Sequence, residues 1–238
     1  MEKGKIYLIP TTLGENAQIE YSIPTFVSEI VNTIEYYIVE NEKTARHYLK
    51  KLKIQKPLQE LQLFPLNKFT PLEDIPTYLK PALEGKNMGL ISEAGCPGIA
   101  DPGADIVKLA HEQGIKVIPL IGPSSILLAL IASGLNGQNF AFHGYLPIEA
   151  RERVKKIKEL ESNSRQNNQT QIFIETPYRN DKLFADLIAS CNNETLLCLA
   201  TDITLRTEQI STHPVSYWKK KKPVLNKRPA VFLLHLGF

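Results

Sequence analysis

The chain has 238 residues, 43% of them hydrophobic and 22% charged, with a formal charge of +3. That composition suits a soluble globular enzyme with a sizeable core, built as one large domain or two small ones. So small a net charge gives no argument for a nucleic-acid partner, and the longest uninterrupted apolar run, Ile126–Ala132, is far too short to span a bilayer.

Cys96, Cys191 and Cys198 show no CxxC spacing, which argues against a disulfide framework and a structural zinc site. The five histidines are scattered, so no metal is expected. Lys3 and Lys5 precede only the short strand-like IYLI, not a signal peptide, and the expected location is cytoplasmic.

In chain order, Ile6–Ile9 reads as the first strand. A helix follows near Pro24–Ile34, with Ser22 as its cap and the proline just inside. Strands are expected at Tyr36–Val39, Gln62–Leu66, Met88–Ile91 and Lys116–Leu120, alternating with helical patterns. One helix starts near Gly103, with Asp105 in its first turn and Gly114 just past its end. Alternation of this kind predicts a mostly parallel α/β sheet.

Around Ile121–Pro123 the chain changes character, which places a boundary between domains 1–120 and 121–238. The second domain carries strands near Phe140–His143, Gln171–Ile174, Leu196–Ala200, Gln209–Thr212 and Ala230–Leu236. Helices near Glu149–Leu160 and Asn180–Ala189 lie between some of them, so a mixed α/β domain is predicted. The polar stretch Ser162–Thr170 is expected to be a mobile loop.

No GxGxxG follows the first strand, and no P-loop, HExxH or GxSxG is present. Two strand-to-helix turns stand out instead. Ser92–Gly103 packs three glycines and two prolines into twelve residues, and Gly122-Pro123-Ser124-Ser125 leads into ILLALIA. Such turns present bare backbone N–H groups at the carboxyl edge of a parallel sheet, where a small anionic ligand can sit. Each also has a purely structural reading. The first could be a tight connection, and Ser124 or Ser125 could simply cap a helix, worth about 1 kcal/mol. Glu175, in Phe173–Arg179, could receive a ligand or pair with Arg179. The basic cluster Lys219–Lys222 with Lys227 and Arg228, and the basic helix Arg151–Lys158, are ordinary solvated faces unless RNA enters by another argument.

Taken together and in order, seven segments carry a resemblance. They are Tyr7–Thr11 (YLIPT), Ser92–Pro97 (SEAGCP), Asp101-Pro102-Gly103, Gly122-Pro123-Ser124, Ser133-Gly134-Leu135, Phe142–Pro147 (FHGYLP) and Glu175–Arg179 (ETPYR). The chain resembles the tetrapyrrole methylase superfamily, above all the branch that methylates a ribose 2′-hydroxyl of small-subunit ribosomal RNA. The resemblance implies a two-domain α/β fold, S-adenosylmethionine in a cleft between the domains, and a homodimer. It brings Pro10 and Leu13, then Gly95, Cys96 and Ile99, then Ser124 and Ser125, to the cofactor. It adds Glu175, Thr176, Pro229 and Ala230 from the second domain.

Most departures fall elsewhere. The branch's E-D-T-R reads Glu40-Asn41-Glu42-Lys43, its A-R-E-L-T-K reads Ala200-Thr201-Asp202-Ile203-Thr204-Leu205, and S-D-A-G-T-P is altered at Glu93 and Cys96. The cofactor framework is kept while the expected substrate side has drifted. A base for a ribose hydroxyl would come from Glu40, Glu42 or Asp202, by residue type alone. Two other readings remain: a tetrapyrrole C-methyltransferase, and a catalytically silent S-adenosylmethionine-binding module.

Overall fold

The computed structural model describes residues 2–67, 69–71 and 73–237. The chain folds into two compact units, Met1–Ser124 and Ser125–Phe238.

The first unit is a five-stranded, all-parallel sheet: β1 (Lys5–Ile9), β2 (Tyr36–Val39), β3 (Gln62–Pro65), β4 (Met88–Ile91) and β5 (Lys116–Pro119), in the order β3-β2-β4-β1-β5. Between the strands run α1 (Ile19–Ser22), α2 (Thr25–Val31), α3 (Glu42–Lys51), α4 (Lys80–Leu83) and α5 (Gly103–Glu112). Side chains alternate along each strand, and here both faces are buried. Tyr7, Ile9, Tyr37, Val39 and Ile91 enter one core with Val27 and Leu49. Ile6, Ile38, Met88 and Leu90 enter a second core with Ile106 and Ala110. Gly89 is required because a Cβ there would lie 2.6 Å from Ile9 Cδ1 and 2.7 Å from Tyr37 Cδ1.

The expected Ser22 cap is not formed. Ser22 is the last residue of α1, its buried hydroxyl has no partner among the described residues, and α2 starts behind Pro24 without a side-chain cap.

The second unit holds α6 (Ser125–Ser133), β6 (Phe140–Tyr145), α7 (Ala150–Asn167), β7 (Thr170–Glu175), α8 (Asn180–Ser190), β8 (Leu196–Thr201), β9 (Gln209–Pro214), α9 (Val215–Trp218) and β10 (Ala230–His235). Its sheet runs β6-β7-β10-β8-β9, parallel at β6–β7 and antiparallel elsewhere, so the mixed character read from the sequence holds. Phe173, Leu197, Leu199, Phe232 and Leu234 face α7 and α8 through Ile157, Leu160, Phe184 and Leu187. The rings of Phe173 and Phe232, partners in the ladder, stack at 5.9 Å. Thr212 lies opposite Cys198, on the other face, and its hydroxyl donates to the Ser133 carbonyl of α6 at 2.7 Å.

Ser162–Thr170 is not a loop. Helix α7 continues to Asn167 because Ser164 is fully buried and its hydroxyl accepts the Leu236 N–H at 2.9 Å. Asn168, at φ +48°, then ends the helix, and Thr170 already belongs to β7. Polarity marked one solvated face and concealed the buried position.

Candidate cofactor cradle and acceptor cavity

Three turns at the carboxyl ends of β1, β4 and β5 converge. The Thr11 N–H donates to the Gly95 carbonyl at 2.9 Å. Gly95 has φ +74°, and a Cβ there would stand 3.3 Å from Leu13 Cδ2 and 3.4 Å from the Pro123 carbonyl oxygen. Gly122 lies so close to Pro10 that a Cβ would fall 2.1 Å from Pro10 Cβ. The Cys96 thiol sits 3.4 Å from the Pro123 carbonyl oxygen, and burial pushes its pKa up, so it stays a donor. Asp101 fixes the turn from inside, its carboxylate accepting the N–H groups of Gly98 (2.9 Å) and Gly103 (2.7 Å).

Pro10, Leu13, Gly95 and Cys96 therefore share one cradle with the segment that runs into Ser124. Ile99 is half exposed on the turn beyond it, and Ser125 opens α6.

In the second unit Glu175 and Ala230 are direct partners in the β7–β10 ladder, next to Thr176 and Pro229. The Glu175 carboxylate is buried and already engaged, at 2.7 Å by the Thr176 N–H and at 2.5 Å by Arg179. The structural pair left open in the sequence is thus made.

Beside the cradle lies a cavity of about 660 Å³, in the size range of ligand sites. Its walls are the loop Thr11–Asn16, the end of β2 from Glu40, one face of α3, and Ile91–Ala94. Thr11 and Leu13 belong to both cradle and cavity. Tyr48, on α3, donates its hydroxyl to the Pro10 carbonyl at 2.5 Å and ties the two together. The Thr11 hydroxyl oxygen is buried and has no partner among the described residues. A buried orphan of this kind costs about 1–3 kcal/mol unless a ligand or water meets it.

Glu40 is half-buried in the cavity wall. Burial holds its carboxyl above the ordinary value of 4.5; the neighbouring charges of Asp101 and Glu93 act the same way, against the N–H of Glu93 donated at 3.1 Å. Glu42, by contrast, is exposed, lies outside the cavity wall, and stands 3.5 Å from Arg46. Asp202 is consumed in the second unit, where Arg228 Nε and the Thr207 hydroxyl each donate to its Oδ2 at 2.8 Å.

The sequence reading missed the α3 face. Thr44, His47, Tyr48 and Lys51 line the cavity, and the spacing of Lys43, His47 and Lys51 was the available signal. It also overstated one departure. Asn41 caps α3 through Oδ1, which accepts the N–H groups of Lys43 (2.9 Å) and Thr44 (3.3 Å), a task asparagine performs as well as aspartate. Among the described residues no group of three His, Cys, Asp or Glu side chains could hold a metal ion.

The architecture is that of the tetrapyrrole methylases. The methyltransferase CobJ superposes with TM-score 0.64 at 17% identity, over 98% of this chain and 94% of that one. Uroporphyrin-III-C-methyltransferase from Thermus thermophilus gives 0.56 at 19% identity, over 98% and 92%. No family model matches the chain.

Sequence relatives narrow the class. The ribosomal RNA small subunit methyltransferase I of Escherichia coli O157:H7 is 30% identical over 213 residues, 90% of this chain and 70% of that protein. That of Vibrio cholerae serotype O1 is 28% identical over 97% of this chain and 76% of its own length. The chain belongs to the ribosomal RNA small subunit methyltransferase I family and is a methyltransferase.

Proposed function

We propose that this chain transfers a methyl group from S-adenosylmethionine to a ribose 2′-hydroxyl of small-subunit ribosomal RNA, in the cytoplasm and as a homodimer. The observation that carries the reading is the cavity with half-buried Glu40 in its wall, adjoining a cradle of close-packed backbone.

Bound S-adenosylmethionine supplies an already activated sulfonium methyl. The cradle fits such a group. Gly95 and Gly122 leave room for backbone alone, so peptide groups rather than side chains face the ligand, and the Thr11 hydroxyl offers a buried polar partner. Pro10, Leu13, Gly95, Cys96, Ile99 and Ser124 would hold it on the first unit. Ser125, Glu175, Thr176, Pro229 and Ala230 are assigned to the same cofactor by the sequence resemblance alone.

The protein's work is then mostly positioning, which can lower a barrier by roughly 7–11 kcal/mol. Glu40 is the proposed base: its carboxylate would accept the proton of the ribose hydroxyl that receives the methyl group, the bound donor's sulfur being released as a neutral thioether. A carboxyl whose pKa is raised is a stronger acceptor than a solvated one.

Dimerisation is supported by apolar side chains left exposed on the second unit, Leu127 and Ile131 one turn apart on α6, with Tyr145 and Ile148. Sedimentation of the purified protein at twice the chain mass is expected; a monomer at micromolar concentration would remove that part. The enzymatic reading is tested by digesting the methylated RNA to nucleosides. A 2′-O-methyl nucleoside is expected, and a base-methylated product would overturn the acceptor.

A further inference from the structure

The cavity has two chemically different walls. On α3, Lys43, His47 and Lys51 recur at every fourth residue and all line it, so they form a stripe along one helix face. Among the described residues none of the three is in an ion pair. Lys51 instead donates to the Glu15 carbonyl at 2.7 Å, which holds the head of the stripe against the loop after β1. The strand ends opposite carry carboxylates, Glu40 and Glu93, and the Glu93 carboxylate is met by the Thr44 hydroxyl at 2.5 Å. Glu15 is the third acid in the wall. The buried Thr11 hydroxyl, without a partner among the described residues, lies where the cavity meets the cradle.

From this we infer that the cavity is a ribose-phosphate site in which Lys43, His47 and Lys51 track the phosphodiester backbone of a single RNA strand. The inference rests on the enzymatic reading above and adds where the strand lies. Four helical residues rise about 6 Å, near the spacing of successive phosphates in an extended strand. The two lysine cations on one side, with the imidazole N–H of His47 between them, suit the phosphates. Carboxylates on the other suit the hydroxyls of ribose, which deoxyribose lacks at the 2′ position. The strand so placed turns one ribose toward Glu40 and the cradle. The positive side of the substrate site thus comes from α3, not from the segment Ala200–Leu205 where the family's arginine and lysine are lost.

The test measures binding of unmethylated small ribosomal subunits to the purified protein across a salt series, with cofactor binding followed by calorimetry on the same samples. Lys43→Gln and His47→Gln alter exposed side chains that make no hydrogen bond or ion pair among the described residues, so both proteins should fold and bind S-adenosylmethionine as the parent does. Lys50→Gln is the control: it removes the same charge from the same helix at an exposed position outside the cavity. The expected result is that Lys43→Gln flattens the slope of log affinity against log salt by about 0.7–0.9, one phosphate contact, and raises KM for subunits. Lys50→Gln should keep the parent's slope. Equal slopes for parent and Lys43→Gln, or equal losses for Lys43→Gln and Lys50→Gln, with methylation by the parent intact, would overturn the phosphate track and leave the enzyme standing. Failure of the parent itself to methylate subunits would remove the reading on which the track rests.

Discussion

Charged side chains are used in opposite ways by the two units. In the second, partly buried charges are closed against one another: Arg153 on Asp186, Arg179 on Glu175, Arg228 on Asp202. In the first, the ion pairs among the described residues are on the surface, Arg46–Glu42 and Lys56–Glu35, while the charged side chains lining the cavity are in no ion pair among those residues and meet only neutral groups. A closed pair offsets the desolvation of both ions. An unpaired cation or a carboxyl held above its ordinary pKa leaves interaction free energy available to a ligand. The contrast separates charges closed in ion pairs from cavity-lining charges that have no ion-pair partner among the described residues.

The sharpest way to break the contrast is at the cradle. Gly122→Val would drive side-chain carbon into Pro10, and loss of measurable S-adenosylmethionine binding is expected in calorimetry. Parent-like affinity would remove the cradle assignment. Next, Arg228→Ala leaves the buried Asp202 carboxylate without its ion-pair partner, and urea unfolding should show a loss of about 3–5 kcal/mol. A loss below about 1 kcal/mol, the size of an exposed pair, would mean the second unit's charges are not used as argued.

Glu40→Gln should lower kcat by roughly 10²–10⁴-fold, the usual worth of a general base, and leave cofactor affinity in place. The sign of the pH dependence follows from the raised pKa. The base works ionised, so the parent's rate should fall as pH drops through a value above 4.5, and the Gln variant should lose that limb. An unchanged pH profile in the variant would exclude Glu40 as the base. The smallest effect is expected at Cys96. Cys96→Ser keeps a donor toward the Pro123 carbonyl, so stability should change by less than about 1 kcal/mol. A larger loss would show that sulfur volume, not hydrogen bonding, closes the turn.

Much of the fold was legible because its signals are local. Alternating apolar runs placed ten strands, and the glycines and prolines of Ser92–Gly103 marked a turn whose backbone must run at positive φ, as Gly95 and Gly98 do. What stayed hidden depends on partners far apart in sequence. Ser164 is buried only because Leu236 returns to it, and nothing within Ser162–Thr170 announces that. The α3 stripe was hidden for another reason. Lys43, His47 and Lys51 have the spacing of any solvated helix face, and only the ends of β1, β2 and β4 arriving on the same side turn that face into a wall. Among the three carboxylates available by type, sequence offered no means of choosing. The proposal of Glu40 rests on its place in the cavity wall, whereas Asp202 is held by Arg228 and Glu42 is exposed outside the cavity.

The central claim is methyl transfer to the ribose of small-subunit RNA. Small ribosomal subunits from a strain lacking this gene would be incubated with the purified protein and S-adenosylmethionine labelled in its methyl group. The account predicts label in the RNA, recovered as a 2′-O-methyl nucleoside and lost in Glu40→Gln. Unlabelled RNA, with tight cofactor binding confirmed on the same sample, would contradict it.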